Sequence, residues 1–192
     1  LGDVYKRQVS TVLAKNGEGL AGANYSMGSM AGIHKTHPDW KIIATESASP
    51  SNSRGIYNTL SQYNKTGDYQ CTAYDTNAVS WGNTARESWW YTIKDDFVSG
   101  EFIWTGFDYI GEPTPWNGTG TGSVSGDKLA VPNSSYFGVI DTAGFEKDSF
   151  YFYTSQWRED KKTLHVVPQS WNAEDLSISG GKVPVYVYSN AA

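Results

Sequence analysis

Two short segments carry the side chains best suited to chemistry. In residues 41–47 (KIIATES), an apolar run ends at the carboxylate of Glu46, and in residues 100–109 (GEFIWTGFDY), an apolar run ends at the indole of Trp104. If both runs are neighbouring parallel strands, their ends lie at one edge of the sheet. A carboxylate can attack an anomeric carbon, and a flat aromatic ring can stack on the apolar face of a sugar. The two segments therefore indicate a sugar-cleaving site.

Glu46 is the first candidate for a catalytic group. The small residues Ser47, Ala48 and Ser49 follow it and would leave room for a substrate. A retaining glycosidase needs a nucleophilic carboxylate and an acid/base carboxylate roughly 5–5.5 Å apart. The alternative for Glu46 is a surface glutamate at a strand end. Glu112 is a weaker second carboxylate, because its proline-containing loop favours a salt-bridge partner that stiffens the loop.

Other polar and aromatic groups surround these two positions in the sequence. Gly106 would let the backbone turn sharply after Trp104, and Asp108 would then offer a hydrogen-bond acceptor. Trp104 itself could instead be a core residue. Tyr25 follows a short predicted strand, so its hydroxyl could hydrogen-bond the nucleophile and tune its charge. Packing in the core or at the rim is the alternative for Tyr25.

The elements around these segments alternate between strand and helix. Alternation of this kind is typical of a parallel sheet, where functional residues follow the strands. Thr84 is a plausible N-cap for a helix whose apolar residues recur every four positions, and Asp148 is a plausible N-cap for the next helix. The predicted strands cover residues 20–25, 41–45, 101–104 and 136–140. One short helix is predicted to start near residue 29, and two further helices are predicted at 84–97 and 148–157.

The pattern changes after residue 160. Residues 163–167 and 183–188 are strand-like and have no helix between them. This pattern predicts the start of an antiparallel β domain, with a boundary near residues 160–162. The Gly-, Pro- and Ser-rich stretch 111–135 is predicted to be a long loop, and loops of that length are commonly functional.

Composition narrows the function classes. The chain has 192 residues, 39% of them hydrophobic, and a net charge of −5 with no basic run, which excludes a nucleic-acid partner. No apolar stretch is long enough to span a membrane. The single Cys71 excludes an internal disulfide and is predicted to be a small buried residue. His34 and His37 have no third ligand nearby, so no zinc site is predicted. The 8 Trp and 13 Tyr raise the expectation of carbohydrate contact.

The two ends of the chain lead us to expect a longer parent protein. Residues 1–8 (LGDVYKRQ) begin without Met, form no signal peptide and fit no element, so we interpret them as a non-native leader. At the other end, the strand-like residues 183–188 have no partner after them. The sequence leaves the oligomeric state open, and it does not distinguish a bacterial cytoplasmic location from a secreted one.

Six segments together resemble the family-2 glycoside hydrolases and, among them, the bacterial β-galactosidases. They occur in the expected order over most of residues 20–170, and the run from 100 to 115 is the most specific. The matching segments are 22–25 (GANY), 37–40 (HPDW), 45–47 (TES), 100–115 (GEFIWTGFDYIGEPTP), 136–141 (YFGVID) and 144–148 (GFEKD).

The resemblance implies a fold and a set of roles. Residues 9–160 would be the last third of a catalytic (β/α)8 TIM barrel, about strands 6–8. Residues 161–192 would begin an immunoglobulin-like β-sandwich. Glu46 would be the nucleophile and Tyr25 the residue that orients it. Trp104 would shape the galactose subsite, and Asn24 and Asp108 would contact the substrate, the role of Asp108 being the less defined.

The chain departs from the family in one large respect. The family's acid/base glutamate follows an asparagine at the end of strand four, and nothing here supplies it. Residues 16–18 (NGE) are only superficially similar, because they are too close to Glu46 and a glycine intervenes. We therefore expect the chain alone to be inactive. Some family members use magnesium or sodium, so either metal could serve the parent protein, but no cofactor or metal residue is assigned here.

The resemblance favours one activity and leaves others open. It implies that the parent is a retaining exo-β-galactosidase, which releases terminal β-galactosyl residues from a β-galactoside through a glycosyl-enzyme intermediate. A β-glucuronidase or another family-2 specificity is the first alternative. A non-catalytic carbohydrate-binding or structural module is the second.

Overall fold

The computed structural model describes residues 19–62, 69–116 and 132–191. Its centre is a three-stranded parallel sheet with the order β1 (Leu20–Asn24), β2 (Lys41–Glu46) and β3 (Val98–Glu101). β1 and β2 pair in parallel from Leu20 opposite Lys41 onward, and β2 and β3 pair in parallel as well. The strands predicted at 20–25 and 41–45 are thus confirmed, and the sheet is parallel as the alternating pattern predicted.

The described ranges contain three α-helices. α1 (Met30–Thr36) follows a 3-10 turn at Met27–Ser29, α2 (Ala85–Ile93) precedes β3, and α3 (Asp148–Trp157) follows it. None of the helices in the described ranges is both long and apolar enough to cross a bilayer.

The N-cap predicted at Thr84 is confirmed, and the structure shows that it is part of a capping box that explains where α2 begins. The Thr84 hydroxyl accepts from the backbone N–H of Glu87 at 3.3 Å, and the Glu87 carboxylate accepts from the backbone N–H of Thr84 at 3.1 Å. This reciprocal pair satisfies two amide groups that have no partner inside the helix. Asp75 accepts from the next two amides, those of Ala85 and Arg86, at 2.8 and 2.9 Å.

Several predicted boundaries were wrong. The strand predicted at 101–104 lies at Val98–Glu101, so Phe102–Trp104 follow it as irregular extended chain. Residues 136–140 form isolated bridges at Ile140 rather than a strand. α2 ends at Ile93 instead of residue 97, and the N-cap of α3 is Lys147, with Asp148 as its first residue. The predicted loop at 111–135 lies partly outside the described residues.

A separate two-stranded antiparallel sheet follows α3. β4 (Leu164–Val167) pairs with β5 (Tyr186–Ser189), from Leu164 opposite Ser189 to Val167 opposite Tyr186. His165 and Val167 are buried while Leu164 and Val166 are exposed, which is the alternation of a sheet packed on one face. The change from parallel to antiparallel strands was therefore predicted in its type and approximate position.

Two hydrophobic clusters matter for the site. One lies between the parallel sheet and the segment before β2, and it contains Ala21, Ala23, Met30, Ile42 and Ala44, which are at most 3% exposed. Small side chains on β1 and β2 let this segment approach the sheet closely. The other cluster packs the loop residues Tyr57, Ala73 and Tyr74 against Val167 of β4, with Tyr186 of β5 packed against it. The first cluster packs β1 and β2 together and so fixes the strand that ends at Glu46.

Candidate active site

Glu46 is the last residue of β2, the central strand of the parallel sheet. The pairing of β1 with β2 shifts between Ala23 and Asn24, so that Asn24 lies opposite Glu46 and Thr45 is passed over. A bulge of this kind re-aims the side chains that follow it. Glu46 is half-buried and stands at the edge of the sheet where the strands end. This is the position predicted for it.

Tyr25 lies beside Glu46 through both backbone and side chain. Its backbone N–H donates to the carbonyl oxygen of Glu46 at 2.7 Å, and its φ of 47° is in the left-handed region that non-glycine residues seldom adopt. Its hydroxyl forms a 2.7 Å hydrogen bond with Ser49, and it lies close enough to Glu46 for the charge of that carboxylate to raise its pKa. A strained residue next to a carboxylate is a common feature of functional sites.

The ionisation of Tyr25 suits a hydrogen-bond donor. Burial raises the pKa of Tyr25 to about 12, the hydrogen bond from Ser49 opposes that change, and the negative charge of Glu46 adds to it. The phenol therefore stays protonated at neutral pH and can donate to Glu46.

Trp104 lies three residues beyond the end of the third strand. Its backbone N–H donates to the carbonyl oxygen of Ala48 at 2.9 Å, which ties it to the loop after Glu46. Its indole Nε1 donates to the Tyr109 hydroxyl at 3.3 Å, and the two rings meet edge to face with centroids 6.1 Å apart. The side chain is 36% exposed, so part of it is available to a ligand.

Glu112 supports the loop that holds Trp104. It accepts hydrogen bonds from the Tyr109 hydroxyl and, at 2.7 Å, from the Thr114 hydroxyl. Burial, together with the hydrogen bond to Glu112, raises the pKa of Tyr109 to about 12. Glu112 therefore stiffens this loop, as the sequence favoured, although it does so through neutral hydroxyls.

Asp108 is held by a cation. Its Oδ2 lies 2.5 Å from Lys147 Nζ, and the two side chains are 8% and 2% exposed. Burial raises the pKa of Asp108 while Lys147 opposes the change, and burial lowers the pKa of Lys147 while Asp108 opposes that change. The other carboxylate oxygen accepts from the backbone N–H of Gly138 at 2.7 Å. A Cβ at Gly138 would lie 2.0 Å from the backbone nitrogen of Asp108, so only glycine allows this approach.

These contacts indicate a structural role for Asp108, and its predicted contact with substrate stays a prediction. Asn24 is half-buried and lies opposite Glu46, at the edge where a substrate would bind. The structure therefore brings four of the five predicted residues to one edge of the sheet, and Asp108 braces the loop beyond them.

The sequence did not identify two groups that support the site. Ser49 holds the Tyr25 hydroxyl, and Glu101 binds the serine that follows Glu46. The only signal in the sequence was their spacing: Ser49 lies three residues after Glu46, and Glu101 lies three residues before Trp104. This signal is weak, because serine and glutamate are common at such positions.

The other candidates from composition have ordinary environments. Cys71 is fully buried, as predicted, and burial raises its pKa to about 12. His34 stacks on Phe97 with ring centroids 4.0 Å apart, and His37 stacks on Trp40 at 3.9 Å. In the three described ranges, no group of three or more His, Cys, Asp or Glu could hold a metal ion. These residues do not fit a metal, and no step proposed for them involves one.

Comparison with known proteins places this geometry in context. No family model matches the chain. Beta-galactosidase BoGH2A of Bacteroides ovatus is 36% identical over 184 residues, which are 90% of this chain and 20% of that protein. A candidate beta-glucuronidase of Formosa agariphila is 37% identical over 122 residues, which are 62% of this chain and 10% of the relative.

A solved structure gives the same answer at the level of the fold. A beta-glycosidase from Bacteroides vulgatus superposes with a TM-score of 0.65 and 25% identity, covering 89% of this chain and 24% of that one. The chain thus spans a fifth or less of the length of the two curated relatives. Nearly all of it aligns with glycosidases, and the resemblance seen in the sequence is confirmed: the chain belongs to the family-2 glycoside hydrolases.

Proposed function

We propose that the protein containing this chain is a retaining exo-β-galactosidase and that Glu46 is its nucleophile. Glu46 attacks the anomeric carbon of a terminal β-galactosyl residue and forms a glycosyl-enzyme, while a second carboxyl group protonates the departing oxygen. Water then releases galactose as the second group takes up its proton. Tyr25 donates a hydrogen bond to Glu46, and Trp104 packs against the sugar ring.

One observation carries this proposal. The carboxylate of Glu46 stands at the end of the central parallel strand with the protonated hydroxyl of Tyr25 beside it, in a chain that is 36% identical to a beta-galactosidase over 90% of its length. A hydrogen bond from a neutral phenol stabilises the carboxylate in its charged, nucleophilic form. The exposed part of Trp104 lies after the neighbouring strand and offers the apolar surface that a sugar face needs.

The chain provides one half of the catalytic pair in this proposal. We assign its residues 9–160 to about strands 6–8 of a (β/α)8 barrel and residues 161–192 to the beginning of a β-sandwich. The acid/base glutamate then comes from an earlier barrel strand, outside the present sequence. The isolated chain should therefore not hydrolyse glycosides.

A β-glucuronidase is the second candidate, because the candidate beta-glucuronidase of Formosa agariphila is 37% identical over 62% of the chain. The two substrates differ at C4 of the sugar, where the hydroxyl is axial in a galactoside and equatorial in a glucuronide. They also differ at C5, where a glucuronide carries a carboxylate and a galactoside a neutral hydroxymethyl group. They can be separated by the rates on matched aryl β-galactoside and aryl β-glucuronide substrates.

The test is a substitution at Glu46 in the full-length protein. Glu46→Gln removes the nucleophilic charge and should lower kcat on the preferred aryl glycoside by at least about 10³-fold. Glu159→Gln, at an exposed residue, serves as the control and should leave kcat unchanged. Activity of the Glu46→Gln variant within tenfold of the wild type would overturn the assignment. If the wild type prefers the glucuronide and Glu46→Gln loses activity to the same extent, Glu46 remains the nucleophile and the substrate is a glucuronide.

A further inference from the structure

Three hydroxyl groups converge on one carboxylate oxygen behind Glu46. Oε2 of Glu101 accepts from Ser47 Oγ at 2.7 Å, from Ser88 Oγ at 2.7 Å and from Thr92 Oγ1 at 3.2 Å. Ser47 and Ser88 are completely buried, and Thr92 is 5% exposed. The donors come from two elements: Ser47 follows β2, and Ser88 and Thr92 lie on α2. Glu101 thus joins the end of the central strand to a helix.

Ser47 is also fixed by its backbone. Its N–H donates to the carbonyl oxygen of Phe102 at 3.1 Å, and its hydroxyl lies 3.2 Å from the same carbonyl. The residue directly after Glu46 is therefore held to the third strand by both main chain and side chain. Because Ser47 and Glu46 share a peptide bond, a displacement of Ser47 moves the backbone that carries Glu46.

One oxygen of Glu101 accepts all three of these hydrogen bonds. The second oxygen of Glu101, Oε1, is buried and has no hydrogen-bond partner among the described residues. An ionised carboxylate accepts hydrogen bonds and donates none, which matches a side chain surrounded by hydroxyl donors. Bonds of neutral donors to an ionised acceptor are stronger than bonds between neutral groups, so this cluster is a firm anchor.

We propose that Glu101 is a positioning residue that acts through Ser47 to fix the orientation of Glu46. This inference rests on the proposed role of Glu46 as nucleophile. Glu101 does not touch the substrate, and its effect on the reaction is confined to the geometry of the attacking carboxylate. A nucleophile displaced by about 1 Å can lose on the order of 100-fold in rate while the substrate still binds.

The experiment compares two buried serines in the full-length protein. Ser47→Ala removes the bond to Glu101 and should lower kcat about tenfold, because Glu46 is no longer held in the orientation for attack. KM should stay within about twofold of the wild-type value, because substrate binding is retained. Ser155→Ala is the matched control. Ser155 is 6% exposed and its hydroxyl donates at 2.7 Å to the carbonyl of Phe152, within α3, so this variant should keep kcat while it lowers the melting temperature.

Substitution of Glu101 provides the second measurement. Glu101→Gln keeps one carbonyl oxygen as an acceptor and should retain more kcat than Glu101→Leu, which keeps none. Because Ser47 and Glu101 act as a unit, the Ser47→Ala/Glu101→Gln double variant should lose no more kcat than the more impaired single variant. If Glu101→Leu does not fold, the Ser47 and Glu101→Gln variants still complete the test.

The outcomes separate this inference from the proposed function. Wild-type kcat in Ser47→Ala, or multiplicative losses in the double variant, would overturn the positioning role while leaving Glu46 as nucleophile. If the wild-type protein is active and the Glu46→Gln variant keeps that activity, the proposed function is overturned, and the positioning role with it. A tenfold loss in Ser47→Ala, no loss in Ser155→Ala and rescue by glutamine would establish the role.

Discussion

At the scale of single residues, the site depends on which partners each polar group has. Glu46 lies beside the phenol of Tyr25, whose pKa is raised to about 12 and which is therefore protonated, whereas Asp108 faces the ammonium group of Lys147. Asp108 is thus committed to an ion pair. Sequence reasoning could place both near the strand ends, but it could not distinguish them, since Lys147 lies 39 positions from Asp108 in the chain.

Trp104 provides the prediction at this scale. Replacing it with alanine removes the exposed indole surface and should weaken binding of the galactoside by about 1–3 kcal/mol, the value of burying a large apolar side chain. The measurement is KM and the inhibition constant of galactose on the full-length protein.

Trp90 is the control for this substitution. It is 60% exposed on α2, and Trp90→Ala should leave both constants unchanged. Equal binding by the wild type and Trp104→Ala would remove Trp104 from the sugar subsite.

At the scale of the elements, the sequence predicted those features of strands and helices that depend on neighbouring residues. The apolar runs of β1 and β2 and the N-cap of α2 depend on neighbouring residues, and they were predicted correctly. The buried face of α2 was not: Ala85, Ser88 and Thr92 are buried, while Ile93 is 51% exposed. The apolar periodicity failed there because Ser88 and Thr92 face the carboxylate of Glu101, a partner that only the folded chain supplies.

The third strand failed for a related reason. Residues 101–104 have the sequence of a strand, yet the regular pairing stops at Glu101. Beyond it, the N–H groups of Phe102 and Trp104 bond the carbonyls of Ala44 and Ala48, so the chain leaves the regular ladder to reach the loop after Glu46. A departure of this kind serves the site, and strand propensity contains no information about it.

The capping box of α2 provides the prediction at the scale of elements. Thr84→Ala removes the hydroxyl that accepts from Glu87, and it should lower the free energy of unfolding by about 1 kcal/mol. Chemical denaturation of the purified protein measures this loss. Thr84→Ser keeps the oxygen and should retain most of the stability. An alanine variant as stable as the wild type would show that the capping box contributes nothing.

At the scale of the whole molecule, a buried polar contact joins α3 to the antiparallel sheet. Asp148, at the start of α3, accepts from the Tyr57 hydroxyl at 3.0 Å and contacts His165 Nε2 on β4 at 2.6 Å. Tyr151 stacks on His165 with ring centroids 4.0 Å apart. These contacts make α3 and the antiparallel sheet depend on each other.

We therefore predict that loss of this contact affects both α3 and the antiparallel sheet. Asp148→Asn replaces one acceptor oxygen with a donor and should lower the free energy of unfolding by about 1–3 kcal/mol, the cost of leaving buried groups unpaired. Amide hydrogen exchange should accelerate in β4 and β5 as well as in α3.

Asp160→Asn is the surface control. Asp160 pairs with Arg158 at 2.7 Å where both side chains are more than half exposed, and its loss should leave exchange unchanged. Faster exchange in α3 alone, after Asp148→Asn, would mean that α3 and the antiparallel sheet are stabilised independently.

The most direct test of the central claim is covalent labelling of the nucleophile. The full-length protein is incubated with an activated 2-deoxy-2-fluoro-β-galactoside, whose fluorine slows hydrolysis of the glycosyl-enzyme so that the intermediate accumulates. Mass spectrometry of the digested protein then locates the sugar. We predict one fluorogalactosyl group on the peptide that contains Glu46, and none in Glu46→Gln. A label on any other carboxylate of an active enzyme would contradict the assignment.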